Sequence, residues 1–194
     1  MRLSETLGLR WSDIDFSVGT MEIKRGLHRS GGTWYFFPPK SAKSERILPL
    51  HPSLLESLKL HKLSQVAKKK EWEDKGALSL WKGTDNIECF PNKDEVDEGS
   101  GDLIFTNESG GALINANISH RWNALIKDTG LPVIRYHDLR HLSLSLLGAL
   151  DAPNVVAMRG IAGHSDLTTT SRYVHASKTA EKEELTRLYD SLNN

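Results

Sequence analysis

The stretch GTMEIKRGLHRSGGTWYFFPPK, residues 19–40, limits the possible folds more than any other. Two runs rich in β-formers flank Ser30-Gly31-Gly32, a turn signal of the kind that closes a hairpin. SERILPL, residues 44–50, is a third short strand that Pro49 brings to a stop. Strands gathered early, with helices after them, exclude a regular alternation of strand and helix. They predict an α+β domain, mainly helical, with a small three-stranded antiparallel sheet near the N-terminus.

Helical periodicity surrounds this sheet. LSETLGLRWSDIDF, residues 3–16, places Leu3, Leu7 and Trp11 in phase, with Ser4 and Glu5 in an early turn. Residues 52–75 open on Pro52-Ser53 and keep leucines at 54, 55, 58, 60 and 63, which predicts a helix with a charged distal end. Residues 76–102 read as a loop, and DLIFTNESGGAL as a short apolar strand followed by a glycine turn. Helices are expected over about 115–128, 138–149, 153–162 and 178–192. Leu185, Leu188 and Leu192 give the last an apolar stripe.

The 194 residues suit one large domain or two small ones, and no apolar run approaches the roughly 20 residues that span a bilayer. The opening residues lack a signal-peptide pattern. Cys89 is the only cysteine, so an internal disulfide is excluded, and a reducing cytoplasm is the expected setting. Net charge is zero but unevenly spread: residues 71–102 hold ten acids and three lysines, a net of −7. The remainder, with 22 basic and 15 acidic residues, is at +7 and suits a phosphate backbone.

Four places hold side chains suited to one anion. Arg2 lies in MRLSE, and Lys40 at the turn between two strands. His137 and Arg140 head the apolar helix HDLRHLSLSLL, three residues apart and therefore on one face. GHSDLTTTSRYVHA offers His164 and, nine residues later, Tyr173. Each also has an ordinary structural reading: Arg2 and Lys40 as solvated charges, His137 as a helix cap, Tyr173 as a core residue. His141 reads equally as a histidine bonded within the fold or as a phosphate contact.

Taken with their flanking words, these segments resemble the catalytic domain of the tyrosine recombinases, the phage-integrase family. RLSETLGLRWSDID is similar to the family's first arginine box, and PKSAKSERILPL to the hairpin carrying its lysine. YHDLRHLSLSLL is similar to the His-x-x-Arg box, and IAGHSDLTTTSRYVHA to the closing box with its nucleophilic tyrosine. The matches run in order from residue 2 to residue 175. Ala162 stands where leucine is usual, and the segment 66–102 is longer and more acidic than the family pattern. The resemblance implies one catalytic domain over 1–194 with an acidic insertion at 66–102. It also implies that the family's N-terminal core-binding domain is absent from this sequence.

The activity implied is site-specific recombination: DNA strands are cleaved and rejoined through a 3′-phosphotyrosyl intermediate on Tyr173. Arg2 and Arg140 would clamp the phosphate, His137 would accept the phenol proton, and His164 would donate to a phosphate oxygen. Lys40 would protonate the leaving 5′ hydroxyl. No cofactor or metal is expected. The expected partners are double-stranded DNA and further protomers in a tetrameric synapse, in the cytoplasm of a bacterium or encoded by a phage or mobile element. Two alternatives share much of this pattern: a type IB topoisomerase-like enzyme, and a DNA-binding module that no longer recombines.

Overall fold

The computed structural model describes residues 1–38, 44–77, 87–89, 103–149, 154–163 and 170. Helix α1 (Leu3–Leu7) ends at Gly8, and a single 3-10 turn follows at Trp11–Asp13. The sequence periodicity ran on through Trp11. The helix stops earlier because Gly8 caps it and the Arg10 amide turns to Asp13 Oδ2, 2.9 Å away.

Strands β1 (Ile14–Asp15), β2 (Thr20–Ile23), β3 (Gly26–Ser30), β4 (Thr33–Phe37) and β5 (Arg46–Pro49) come next. They build two sheets rather than one. The antiparallel sheet β1-β2-β5 pairs Met21 with both Ile14 and Leu48. The second sheet holds the β3–β4 hairpin, closed by Gly31 and Gly32 at φ +56° and +89°. Those angles fit a two-residue primed turn, whose twist matches that of the flanking strands. Its third strand, β6 (Ile87–Cys89), comes from the acidic stretch and runs parallel to β4. The sheet splits because the chain leaves the extended ladder at Lys24 and Arg25, where Arg25 turns to pair with buried Asp13 at 2.7 Å.

Helix α2 (Pro52–Asp74) starts on Pro52, with His51 Nδ1 accepting the Ser53 amide. It includes residues 66–74, so the first part of the acidic segment continues the helix. One stripe of α2 faces the first sheet. Leu58 joins Leu9, Trp11, Ile14, Met21, Ile23 and Ile104 in a core cluster. Further along that stripe, His61 and Gln65 each donate to the Ile104 carbonyl, at 2.8 and 2.7 Å, and Trp11 Nε1 donates to Gln65 Oε1. These bonds satisfy a carbonyl that would otherwise be buried unpaired. Residues 103–112 form isolated bridges, Arg10 with Leu103 and Thr106 with Ala112, where a short strand was expected.

A second cluster of Leu7, Leu27, Phe36, Ile87 and Leu103 ties α1 to the second sheet. Helix α3 (Asn115–Thr129), α4 (Asp138–Gly148) and α5 (Val155–Ala162) match the expected positions closely. Trp122 of α3 donates to the Ile134 carbonyl at 2.7 Å and meets Tyr136 edge-on, which holds the approach to α4. The helix expected over 178–192 lies outside the described residues. Among the described residues, no helix is long and apolar enough to cross a membrane.

Candidate active site

The first turns of α1 and α4, about 135 residues apart in sequence, converge on one pocket of about 160 Å³. Met1, Leu3 and Thr6 line one side, and Tyr136, His137, Leu139, Arg140 and Ser143 the other. Arg2 is the N-cap of α1. Its amide donates to Glu5 Oε2 and its Nη1 to Glu5 Oε1, both at 2.8 Å. So Arg2 is held on a defined partner instead of being simply solvated.

Glu5 is buried, and its second partner comes from β5. Arg46 Nη2 reaches Glu5 Oε2 at 3.0 Å and Nη1 reaches Oε1 at 3.4 Å. Burial alone would raise the Glu5 carboxyl. The Arg46 hydrogen bond and charge, with the Arg2 amide and side chain, outweigh it and hold the pKa at about 2 against an ordinary 4.5. Because the folded value is the lower one, this carboxylate stabilises the fold above the ordinary value. The stabilisation is lost as pH falls from 4.5 towards 2. Its size is on the order of 3 kcal/mol. The expected result is that the parent chain's melting temperature drops steeply over that window. Glu5→Gln, less stable at neutral pH, should follow a flatter curve in thermal melts at stepped pH.

His137 precedes α4 without capping it through its side chain, which sets aside the capping reading. Asp138 instead pairs with Arg135, whose hydrogen bonds pull its carboxyl down to about 2. The His137 ring stands edge-on to His141, with centroids 5.1 Å apart. Burial, His141 and Arg140, in that order, lower the His137 pKa below its ordinary value, so the ring is neutral at neutral pH. Arg140 Nη2 donates to the Ala162 carbonyl at 2.6 Å, which ties α4 to the end of α5.

Of the six residues singled out by sequence, His137 and Arg140 line the pocket, and Arg2 caps the helix on its other side with its guanidinium on Glu5. Lys40, His164 and Tyr173 lie outside the described residues. Gly163, the residue before His164, caps α5 with φ +67°. Glu5 and Arg46 were missed. The sequence signal for Glu5 was its place three residues after Arg2, on the same helical face. Arg46 carried no local signal beyond its place in a short strand.

Residues 1–180 match the phage integrase family, and the chain belongs to that family. The tyrosine recombinase XerC-like protein of Caldanaerobacter subterraneus subsp. tengcongensis is 26% identical, over 97% of this chain and 46% of that protein. The integrase of Staphylococcus phage L54a is 24% identical, over 94% of this chain and 46% of that protein. Among solved structures, the Tn1549 transposon integrase in complex with circular intermediate DNA superposes with a TM-score of 0.72 at 22% identity. It covers 97% of this chain and 56% of that one. The XerH site-specific recombinase bound to its difH substrate gives a TM-score of 0.56 at 24% identity, covering 96% of this chain and 42% of that one. The α+β fold read from the sequence is the fold of these proteins. The chain spans about half the length of the curated relatives it matches.

Proposed function

We propose that residues 1–194 form the catalytic domain of a site-specific DNA recombinase of the integrase type, with 66–102 as an acidic insertion. The observation that carries this reading is the pairing of His137 and Arg140 on one pocket closed by the first turn of α1, which Arg2 caps, in a chain that belongs to the phage integrase family. The partner is double-stranded DNA, in an assembly of several protomers. Relatives of this fold solved on transposon and difH DNA support that partner.

A phosphodiester is already anionic, and its transition state places further charge on the non-bridging oxygens. Catalysis is then chiefly positioning and electrostatic stabilisation. Arg2 and Arg140 suit this because a guanidinium fork binds two phosphate oxygens in fixed geometry. The Tyr173 oxygen attacks phosphorus, and its proton passes to His137, whose neutral ring can take it. His164 donates to a phosphate oxygen. The bond from phosphorus to the 5′ oxygen breaks, and Lys40 supplies the proton that makes the leaving 5′ hydroxyl. The resulting 3′-phosphotyrosyl link keeps the bond energy for rejoining to another strand.

The test uses a pool of randomised, nicked duplexes, because cleavage at a nick releases a short fragment and traps the link. Denaturant-resistant protein–DNA adducts are recovered, the DNA is sequenced, and the modified peptide is mapped by mass spectrometry. The expected adduct sits on Tyr173 and selects one site. Absence of any adduct, or an adduct on another residue, overturns the reading.

A further inference from the structure

We propose that Arg46 is a positioning residue for this site: its guanidinium joins the Glu5 carboxylate beside Arg2 to the C-terminal turn of α5, from which the chain passes directly to His164. The inference rests on the recombinase reading for its rate measurements, but not for its structural one.

All three guanidinium nitrogens of Arg46 donate. Nη2 and Nη1 face the two oxygens of Glu5, Nη1 also donates to the Ser44 carbonyl at 2.9 Å, and Nε donates to the Ile161 carbonyl at 3.2 Å. The side chain is 7% exposed. Its backbone is fixed in β5 opposite Ile23, which is fully buried. The guanidinium lies on Gly163, where an added Cβ would stand 2.7 Å from Nη1 and 2.9 Å from Cζ. Gly163 is therefore favoured by its positive φ, and a side chain there would also displace the Arg46 guanidinium.

The α5 carbonyls of Ile161 and Ala162 are thus held by two guanidiniums, Arg46 from the sheet and Arg140 from α4. Cations are favoured at a helix C-terminus, where carbonyls lack intrahelical partners. The contacts run from Arg2 through Glu5 and Arg46 to Ile161, and from Ala162 back to Arg140. Arg46 couples the two phosphate-directed arginines without lining the pocket itself. A lysine cannot replace it, because one ammonium cannot span Glu5, Ser44 and Ile161 in a planar fork.

The experiment compares the parent with Arg46→Lys and Arg46→Gln in the full chain. The readouts are single-turnover adduct formation on the nicked duplex selected above, binding of a generic duplex by anisotropy, and hydrogen exchange of the α5 amides without DNA. Arg46→Lys should fold and bind like the parent, exchange faster in the last turn of α5, and form adduct about 10²-fold more slowly. That loss is typical of a misplacement near 1 Å. Arg46→Gln carries a second signature. Arg2 still faces Glu5 but the Arg46 hydrogen bond and charge are gone, so the Glu5 carboxyl titrates at higher pH than in the parent. Its pH–rate profile should gain an acid limb, whereas a merely structural loss lowers the rate equally at every pH. Adduct formation by Arg46→Lys within about threefold of the parent, a loss below the scale expected for misplacement, overturns the proposal, as does unchanged exchange in α5. A parent chain that forms no adduct overturns the recombinase reading, and the exchange comparison still decides the role of Arg46.

Discussion

Tyr173→Phe is expected to bind duplex DNA as the parent does and to form no covalent adduct. Phenylalanine keeps the ring and removes the oxygen proposed to attack phosphorus, so the expected effect is a complete loss and not a slower rate. Binding survives because it draws on many phosphate contacts, and the chain outside residues 71–102 has a net charge of +7 to supply them. Denaturing gels on the nicked duplex read the adduct, and fluorescence anisotropy reads the binding. Adduct formed by the phenylalanine variant would remove Tyr173 from the chemistry.

Arg140→Ala is expected to slow adduct formation by about 10²- to 10³-fold, the usual cost of deleting one preorganised donor at a developing oxyanion. Two losses combine in this variant. The guanidinium lining the pocket disappears, and so does the 2.6 Å bond that holds the Ala162 carbonyl. Arg140→Lys restores charge but not the fork, and should recover only part of the rate. The pH profile separates the chemistry from the packing. Arg140 is one of the groups that hold the His137 pKa down, after burial and His141. Its removal lets that pKa rise, so the acid limb of the alanine variant lies at higher pH than the parent's. Equal losses in rate and binding, with an unmoved limb, would reduce Arg140 to a backbone contact.

Much of the local structure was legible because its causes are local. Ser30-Gly31-Gly32 announced the hairpin through the positive φ that its turn demands. Pro52 marked the start of α2, since a proline suits the first helical turn. His137 and Arg140 shared a helical face because they are three residues apart. The split of the sheet was not legible. Whether β2 runs on into β3 depends on Arg25 finding Asp13, and β4 acquires a parallel partner from residues 87–89. Neither pairing leaves a trace in the strands' own composition.

By itself the sequence determined the fold class, the order of the described helices, and the placing of His137 and Arg140 on one helical turn. These follow from spacing, turn chemistry and apolar periodicity, which act over a few residues. The tertiary structure alone decided what neutralises the site. Glu5 was one more carboxylate in an early turn and Arg46 one more arginine in a strand. Only when β5 comes to lie against α1 and the end of α5 does a buried carboxylate need two guanidiniums, and does one of them reach the Ile161 carbonyl. The cost of burying a charge depends on neighbours distant in sequence, so its resolution is written in packing and not in local pattern.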